Sequence, residues 1–368
     1  MKKLRSGYTT GACAAAAAKA ATLMLITGVA QDQVEIPFPD GTRIAFQLCA
    51  CHWSDTARTA TLAAVIKDAG DDPDVTNRAQ IEAEVRFVPH ATPQDEQITI
   101  AGGTGIGTVT KPGLAIPVGE PAVNPVPRKM IREAVREAFS LMGIDQNRPL
   151  QVTLSIPNGE ELAEKTLNHR LGIIGGLSIL GTTGIVRPIS AEAWTATITA
   201  SMDVAREMGA TEIALSTGRT SELAVQQQLQ LPEEAYVMMG DYLKFSLIDA
   251  GKHGFAAIHL AAMWAKVLKG AMRIPQTHVR HGALEIKDAI SFLATLGVAP
   301  AVLEGLAESN TAREIYERLV AIKAHDIIRK VCLTARDYCQ DVSGLPVHIY
   351  LVHSSRQIVD SVAGNLTR

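Results

Sequence analysis

This sequence has few aromatic residues and few cysteines, and its positive and negative charges nearly balance. The 368 residues include only five cysteines, an odd number without a Cys-x-x-Cys pair, which favours a reducing cytoplasm over a disulfide framework and argues against a zinc site. A formal net charge of −3 gives no global basic field, so non-specific nucleic-acid binding is not expected. A local basic pocket for an acidic small molecule is compatible with this balance.

Long hydrophobic runs are also rare. Near the start, basic side chains precede an alanine-rich run, as in a signal peptide, but polar residues 6–10 interrupt the run and Lys19 lies inside it. We therefore predict a cytoplasmic N-terminal helix that is capped by Thr9 or Thr10 and closed by Gly28. No later stretch is long and apolar enough to span a bilayer, and no membrane association is expected.

Small apolar residues are abundant, and they predict closely packed layers of helix and sheet in more than one domain. The pattern of helices and strand-like runs in residues 1–147 predicts an α+β domain with antiparallel strands. In it, the N-terminal helix is followed by a hairpin around Asp40 and Gly41, by several strand-like runs and by a helix with Pro127 near its start.

Residues 148–283 predict an α/β domain with a parallel sheet, because short β runs such as "LQVTLSIP" and "GIIGGLSIL" alternate with helices. Residues 284–368 predict a helical C-terminal segment with one final strand. Ligands of parallel sheets bind beyond the carboxyl ends of the strands. The loops at residues 157–160, 181–184, 216–221 and 240–242 are therefore candidate binding loops.

The stretch "DAGDDPDVT" places several carboxylates close together. It lacks the central glycine and the final glutamate of an EF-hand, so it does not predict a calcium loop of that kind. Two interpretations stay open for Asp71 and Asp72. They are turn and capping residues around Pro73, or they form a polar wall that faces a ligand.

Residues 101–128 form a loop rich in glycine and proline. "GGTGIG" is not followed by a helix, as a dinucleotide fingerprint must be, and the Lys-Pro-Gly that follows lacks the end of a phosphate loop. Glycine lets backbone approach a bulky ligand closely, and proline keeps such a loop ordered. The loop therefore predicts a wide surface for a flat ligand, the alternative being a loop that only packs tightly within the protein.

"LSTGRTSE" joins a β run to a helix through small hydroxyl residues, with Arg219 beside them. The backbone amides at the helix start, together with Arg219, suit an anionic group such as a carboxylate. Asp241 follows another predicted strand, where an acidic residue commonly accepts ribose hydroxyls. A simple turn role for Asp241 is the alternative.

Six motifs occur in one order and resemble the cobalt-precorrin-5B C1-methyltransferase family of the anaerobic cobalamin pathway. They are "LRSGYTTGACAAAAAKAA", "DAGDDPDVT", "GGTGIGTVTKPGL", "GEPAVNPVPR", "GGLSILGTTGIVRPIS" and "LSTGRTSE". The resemblance covers roughly residues 4–280. It implies transfer of a methyl group from S-adenosylmethionine to C1 of a corrinoid precursor, giving cobalt-precorrin-6A, on a fold unlike that of the usual tetrapyrrole methyltransferases.

The resemblance also implies that cobalt enters only as part of the substrate, so no metal site is predicted in the protein. The sulfonium methyl is already activated, so catalysis needs alignment more than a strong base. We assign no catalytic residue. The acetate and propionate groups of the substrate call for cations around an apolar flat cavity, with Arg5, Lys111, Arg128 and the start of the N-terminal helix as candidates.

The predicted sites follow from these loops. Residues predicted to bind S-adenosylmethionine are Gly181, Thr182, Thr183, Gly184, Ser216, Thr217, Gly218, Arg219, Gly240 and Asp241. Residues predicted to bind the macrocycle, in a cleft between the domains, are Arg5, Tyr8, Thr9, Thr10, Gly11, Asp71, Asp72, Gly102, Gly103, Gly105, Gly107, Lys111 and Arg128. Residues 262–264 replace an expected glycine-containing turn, so this loop is not included among the predicted contacts.

Two other functions remain as alternatives: a non-catalytic corrinoid carrier and a nucleotide-dependent oxidoreductase or kinase. A carrier would bind the macrocycle without binding S-adenosylmethionine, whereas a nucleotide enzyme would bind NAD(P) or ATP instead. Transfer contacts with other cobalamin-pathway enzymes and an oligomeric state are also possible.

Overall fold

The computed structural model describes residues 4–88, 97–146, 148–276 and 284–364. The chain divides into two compact units, Met1–Ser190 and Ala191–Arg368. Each unit has its own hydrophobic core.

The Met1–Ser190 unit combines short strands with three described helices. The helices are Thr10–Thr27 (α1), Pro125–Leu141 (α2) and Gly159–Ala163 (α3). The strands are Gly7–Tyr8 (β1), Gln33–Pro37 (β2), Arg43–Gln47 (β3), Ala50–Trp53 (β4), Ala60–Ile66 (β5), Gln80–Phe87 (β6), Ile98–Gly102 (β7), Thr108–Val109 (β8), Leu150–Ser155 (β9), Ile173–Ile174 (β10) and Ile185–Val186 (β11).

Helix α1 is the central element of this unit. Its alanine-rich surface lets α2 and strands β5 and β6 pack closely against it. Thr9 caps it by accepting a hydrogen bond from the Ala12 amide, and Gly28 ends it in the left-handed conformation, as predicted. Among the described helices it alone is long and apolar enough to cross a membrane, but 83% of its residues are buried within the protein. This segment is therefore a core helix.

The main sheet of this unit has the strand order β4-β5-β6-β9-β7, and only the β7–β9 pair is parallel. The predicted hairpin around Asp40 and Gly41 is confirmed by antiparallel pairing of β2 with β3. The predicted helix near Pro127 is confirmed as α2.

The predicted domain boundary at residue 147 needs correction. Strand β9, which we predicted to start the parallel sheet, pairs with β6 and β7 in the middle of the N-terminal sheet. The residues that follow also belong to the Met1–Ser190 unit, since Ile173–Ile174 pairs with Thr108–Val109 and Ile185–Val186 pairs with Gly7–Tyr8. Apolar β runs look alike in sequence, whichever sheet they join.

The Ala191–Arg368 unit is an α/β structure with eight described helices and five described strands. The helices are Ala191–Glu207 (α4), Arg219–Gln226 (α5), Leu243–Lys252 (α6), Trp264–Ala271 (α7), Ile286–Thr295 (α8), Pro300–Ala307 (α9), Ala312–Ala321 (α10) and His325–Ser343 (α11), and a 3₁₀ turn spans Glu233–Ala235. The strands are Glu212–Ser216 (β12), Tyr236–Met238 (β13), Ala257–Met263 (β14), Val347–Val352 (β15) and Ile358–Val362 (β16).

The predicted parallel sheet is confirmed for β12, β13 and β14. The helical C-terminal segment does not form a separate body: β15 joins the sheet parallel to β14, and α11 packs against α6, α7 and β15. A second C-terminal strand, β16, which we did not predict, pairs antiparallel with β15 at the sheet edge.

The strand order β13-β12-β14-β15-β16 creates a switch point between β12 and β14. Helix α5 leads from β12 to β13 on one face of the sheet, where Ala224 and Val225 pack against Ala214 and Ala261. Helix α6 leads from β13 to β14 on the opposite face, within the larger core. Connections that leave in opposite directions open a crevice at the carboxyl ends of the two strands, and ligands of such sheets bind there.

Candidate functional site

A cavity of about 330 Å³ lies at the carboxyl edge of the parallel sheet in the Ala191–Arg368 unit. Its walls are residues 217–221 after β12, residues 263–266 at the end of β14, residues 351–354 at the end of β15, and Arg313, Tyr316 and Glu317 of α10. The cavity thus occupies the crevice that the strand order creates. Its volume is within the range of small-molecule sites.

Two helices begin at this cavity, α5 and α7. Gly218 precedes α5 and Met263 precedes α7, and neither provides a side-chain cap. The amides of the first turn of a helix carry partial positive charge and have no partner within the helix. Both helix starts therefore favour an anionic group of a ligand at this edge of the sheet.

The cations of the cavity are paired with carboxylates. Arg219, whose side chain is 61% exposed, donates from Nη1 to the fully buried Glu222 at 2.8 Å. Lys266 pairs with Asp241, which follows β13. Burial and the neighbouring Lys266 lower the pKa of Lys269, which lies in the same turn of α7. These pairs hold the guanidinium and the ammonium at the cavity.

Another part of the cavity wall is apolar and aromatic. The rings of Trp264 and Tyr316 lie 5.5 Å apart with their planes at 39°, and both line the cavity together with Leu351 and Val352. Burial raises the pKa of Tyr316. The cavity combines polar residues 217–221 with an aromatic part of the wall, so it suits a ligand that has a charged end and a flat apolar ring.

The prediction for residues 216–219 agrees with this cavity, since Thr217, Gly218 and Arg219 line it. Ser216 is the last residue of β12 and lies beneath the lining, fully buried. Gly240 and Asp241 do not line the cavity, but Asp241 holds Lys266, which does. Whether these residues bind S-adenosylmethionine stays a prediction.

The predicted location of residues 181–184 at the parallel sheet is wrong. This loop belongs to the Met1–Ser190 unit, where the Thr9 amide donates to the Gly184 carbonyl and a Cβ at Gly181 would come within 2.5 Å of Thr9. Thr182 and Thr183 are exposed. The strand that we expected before this loop is only the two-residue β10, and it pairs with β8.

The same loop fills the start of α1, where we expected a substrate carboxylate. The Gly11 amide donates to the Leu180 carbonyl at 3.1 Å, and Thr10 Oγ1 accepts from the Leu180 amide at 2.9 Å. The Ala12 amide is bonded to Thr9 Oγ1. Tyr8 packs against Phe38 and Phe46. This helix start is therefore occupied by the protein's own groups.

The carboxylate cluster holds the N-terminal segment in place. Arg5 makes two hydrogen bonds to Asp68, which lower the pKa of that carboxyl to about 2, and the Arg5 amide donates to Asp71. Asp72 accepts from the Ile189 amide. These contacts favour the turn and capping interpretation over a polar wall for Asp71 and Asp72.

The glycines of the 101–128 loop make room for protein backbone. A Cβ on Gly105 would lie 2.0 Å from the Ile156 carbonyl oxygen, one on Gly103 would lie 2.3 Å from Ser155 Oγ, and one on Gly107 would meet Ile173 and Gly176. Gly105 and Gly107 are buried, whereas Gly102 and Gly119 are exposed. Packing within the protein therefore accounts for Gly103, Gly105 and Gly107. A flat ligand surface over the rest of this loop stays a prediction.

Arg128 and Lys111, the remaining predicted residues, have different surroundings. Arg128 donates to the carbonyls of Val123 and Pro121, which orders the proline-rich loop, and it lines a second cavity of about 560 Å³ together with Arg132. The aliphatic part of Lys111 packs over Gly172, where an added Cβ would lie 2.5 Å from the Lys111 side chain. Only Arg128 of this pair lies at a described cavity.

Sequence reasoning missed much of the cavity wall, including the loop at residues 262–264 that we left out. Helix α7 starts directly at Trp264, without the expected glycine turn, and places Trp264 and Lys266 at the cavity. An aromatic residue at the carboxyl end of a buried strand was the available signal. Arg313 and Tyr316 carried no such signal, because long-range packing brings α10 to this edge.

Comparison with known proteins supplies independent information. The family described as CbiD matches residues 1–188, and the family described as CbiD, C-terminal domain, matches residues 276–363. A protein of Desulfotalea psychrophila named cobalt-precorrin-5B C(1)-methyltransferase is 53% identical, over 97% of this chain and 98% of its own length. One of Geobacter metallireducens with the same name is 49% identical, over 90% of this chain and 94% of its own length.

A solved structure is also similar. The cobalamin biosynthesis protein (cbiD) of Archaeoglobus fulgidus is 27% identical, with 72% of this chain and 79% of that chain covered and a TM-score of 0.39.

Proposed function

The chain belongs to the CbiD family, and we propose that it transfers the methyl group of S-adenosylmethionine to C1 of cobalt-precorrin-5B, giving cobalt-precorrin-6A. The similarity to relatives of that name extends over nearly the whole chain. The structural observation that carries the proposal is the cavity at the β12–β14 switch point, which joins two uncapped helix starts to an aromatic wall.

The lining of the cavity suits the chemistry of S-adenosylmethionine, and its volume is within the range of small-molecule sites. We propose that the amides of residues 218–221 and the Arg219 guanidinium hold the methionine carboxylate. Asp241 acts on the site through Lys266, which it keeps at the cavity wall. When bound, S-adenosylmethionine supplies an activated methyl group, so the protein's residues need to bind and orient the reactants. Holding the two reactants close together in the correct orientation can lower the barrier to the reaction by about 7 to 11 kcal/mol.

For the carboxylated macrocycle we propose the second cavity, in the Met1–Ser190 unit. Arg128 and Arg132 line it beside the apolar side chains of Ile100, Ile116 and Val123. Guanidinium groups bind carboxylates in a planar, two-bonded arrangement, and apolar side chains suit the face of a ring system. Arg5, Asp71 and the buried glycines 105 and 107 are not part of this proposal, because protein contacts already account for them.

The activity is tested by incubating the full chain with cobalt-precorrin-5B and S-adenosylmethionine that carries an isotopically labelled methyl group. The corrinoid is expected to gain the mass of one labelled methyl, with one equivalent of S-adenosylhomocysteine formed. Tight binding of the macrocycle without mass gain or donor binding would identify a carrier instead. Saturable binding of ATP or NAD(P), without binding of S-adenosylmethionine, would favour the nucleotide-dependent enzyme.

Replacing Arg219 by alanine is expected to raise KM for S-adenosylmethionine by roughly 10-fold to 100-fold with a smaller change in kcat, because a charge-assisted hydrogen bond to the donor is lost. Steady-state kinetics of methyl transfer measures both constants. Arg329→Ala is the matched control: Arg329 is 57% exposed, pairs with Asp360 and does not line the cavity. Equal kinetics for the two variants would remove Arg219 from the proposed site.

The remaining expectations concern the surroundings of the protein. We propose a cytoplasmic location, transfer contacts with other cobalamin-pathway enzymes and formation of an oligomer. Sedimentation of the purified chain, alone and with pathway enzymes, measures the last two.

A further inference from the structure

The aromatic side of the 330 Å³ cavity is built from two distant parts of the chain. Trp264 is the first residue of α7, at the end of β14, and Tyr316 lies in α10, 52 positions later in the sequence. The two ring centroids are 5.5 Å apart. Tyr316 is only partly buried, and its side chain lines the cavity next to the indole. A planar ligand group in this part of the cavity would lie next to both rings.

The polar groups at the start of α5 complement the aromatic part of the wall. Residues 217–221 contribute hydroxyl groups, helix-start amides and Arg219, and all of them lie on the α5 side of the cavity. Trp264 and Tyr316 line the same cavity, so we place the charged end of a ligand at residues 217–221 and its other end at these two rings. A flat heteroaromatic ring fits beside these two rings better than an aliphatic chain does. Stacking on aromatic side chains stabilises such a ring in addition to the burial of its apolar surface.

Trp264 provides a second observation. Its side chain is 4% exposed, and its Nε1 is buried without a hydrogen-bond partner in the part of the chain that the structure describes. An indole N–H is a donor only, and a buried donor without an acceptor is costly. Because this nitrogen has almost no exposed surface, a ligand in the cavity does not reach it, and Trp264 contributes to the cavity wall through its ring.

We infer that Trp264 and Tyr316 form the adenine subsite of the methyl donor, so that the C-terminal segment, through α10, sets the selectivity of the protein for an adenosyl group. This inference rests on the proposed function, because it assumes that the donor binds in the 330 Å³ cavity. It assigns Tyr316 to binding and selectivity. It assigns neither residue to the chemical step.

Calorimetry with S-adenosylhomocysteine, adenosine and methionine separates the two ends of the donor. For Tyr316→Ala, binding of S-adenosylhomocysteine and of adenosine is expected to weaken by the same factor, roughly 10-fold or more, whereas methionine binding is unchanged. Tyr316→Phe keeps the ring and is expected to bind within about threefold of the unchanged protein. Tyr316→Leu keeps an apolar side chain but has no ring. If Tyr316→Ala does not fold, weaker adenosine binding by Tyr316→Leu supports the inference, and unchanged binding contradicts it.

Fluorescence gives an independent readout. Adenosine is expected to quench the emission of the unchanged protein, and Trp264→Phe is expected to abolish that quenching. Trp194→Phe is the matched control, because Trp194 lies in the same unit and is not part of the cavity wall. Quenching that persists in Trp264→Phe would contradict the assignment.

Failure of the inference and failure of the proposed function give different results. If S-adenosylhomocysteine binds the unchanged protein and Tyr316→Leu equally well while Arg219→Ala weakens it, the inference is wrong and the donor site stands. If the unchanged protein binds no S-adenosylhomocysteine and transfers no methyl group, the proposed function itself fails.

Discussion

Alanine in place of Gly105 is expected to lower the free energy of unfolding of the Met1–Ser190 unit by more than about 4 kcal/mol. Gly105 has a φ of +70°, which strains any residue with a Cβ, and its added Cβ would lie 2.0 Å from the Ile156 carbonyl oxygen and 2.9 Å from Gly159 Cα. These neighbours are backbone atoms and cannot turn away as a flexible side chain can. The loop and β9 would have to separate, which breaks the hydrogen bond from the Ile156 amide to the Thr104 carbonyl.

Gly119→Ala is the matched control for this prediction. Gly119 lies in the same loop with a φ of +91°, but nothing lies within 4 Å of its added Cβ. Gly119→Ala should lower the free energy of unfolding by about 1 to 2 kcal/mol, which is the backbone strain alone. Denaturant unfolding followed by Trp53 fluorescence, in a Trp194→Phe, Trp264→Phe background, reports on the Met1–Ser190 unit, where Trp53 lies in β4.

The comparison also tests two interpretations of the glycine-rich loop. If the glycines made room for a ligand, Gly105→Ala would fold normally and lose only binding. Equal stability of Gly105→Ala and Gly119→Ala would contradict the packing explanation.

Replacing Asp74 by asparagine is expected to destabilise the same unit by about 3 to 5 kcal/mol, the usual cost of breaking a buried ion pair from one side. The side chain of Lys67 is only 1% exposed, and its Nζ lies 2.6 Å from Asp74 Oδ2. Asparagine is nearly the same size but removes the negative charge. The Lys67 ammonium would then be buried without its carboxylate.

The same pair predicts a pH dependence. Burial by itself raises the pKa of the Asp74 carboxyl, but Lys67 and the hydrogen bonds from Thr76 outweigh this effect and lower the pKa below its usual value of 3.8. A carboxyl with a lowered pKa in the folded state stabilises the protein above the pKa of the unfolded state. This contribution should therefore be lost as the pH falls below about 4, and the Asp74→Asn variant should lack that part of the acid sensitivity.

Two variants serve as controls for Asp74. Asp71→Asn changes an exposed carboxylate of the same cluster, and it should cost less than about 0.5 kcal/mol. Adding Lys67→Met to Asp74→Asn removes the buried charge and should restore much of the lost stability, because an apolar side chain of similar size can replace a buried ion pair. A double variant as unstable as Asp74→Asn alone would rule out the buried charge as the cause.

Local sequence signals located one part of the candidate site correctly. Thr217, Gly218 and Arg219 connect β12 directly to α5, so a β run followed by small hydroxyl residues and a helix was enough to place them at a strand end. The same reasoning failed for residues 181–184. The apolar run before them resembles a buried strand, but its Leu177 and Ile179 make only isolated bridges to Ile106 and Val123 in the Met1–Ser190 unit.

Short-range chemistry determines several features of this protein from the amino-acid sequence by itself: the caps of α1, the hairpin at Asp40 and Gly41, the parallel strands β12 to β14, and the six motifs that indicate the family. Only the tertiary structure shows that Gly105 packs against backbone and that β9 belongs to the first unit. It also brings Tyr316 to Trp264. Such contacts join residues far apart in the chain, and their geometry depends on how whole helices and sheets pack, which no local pattern encodes.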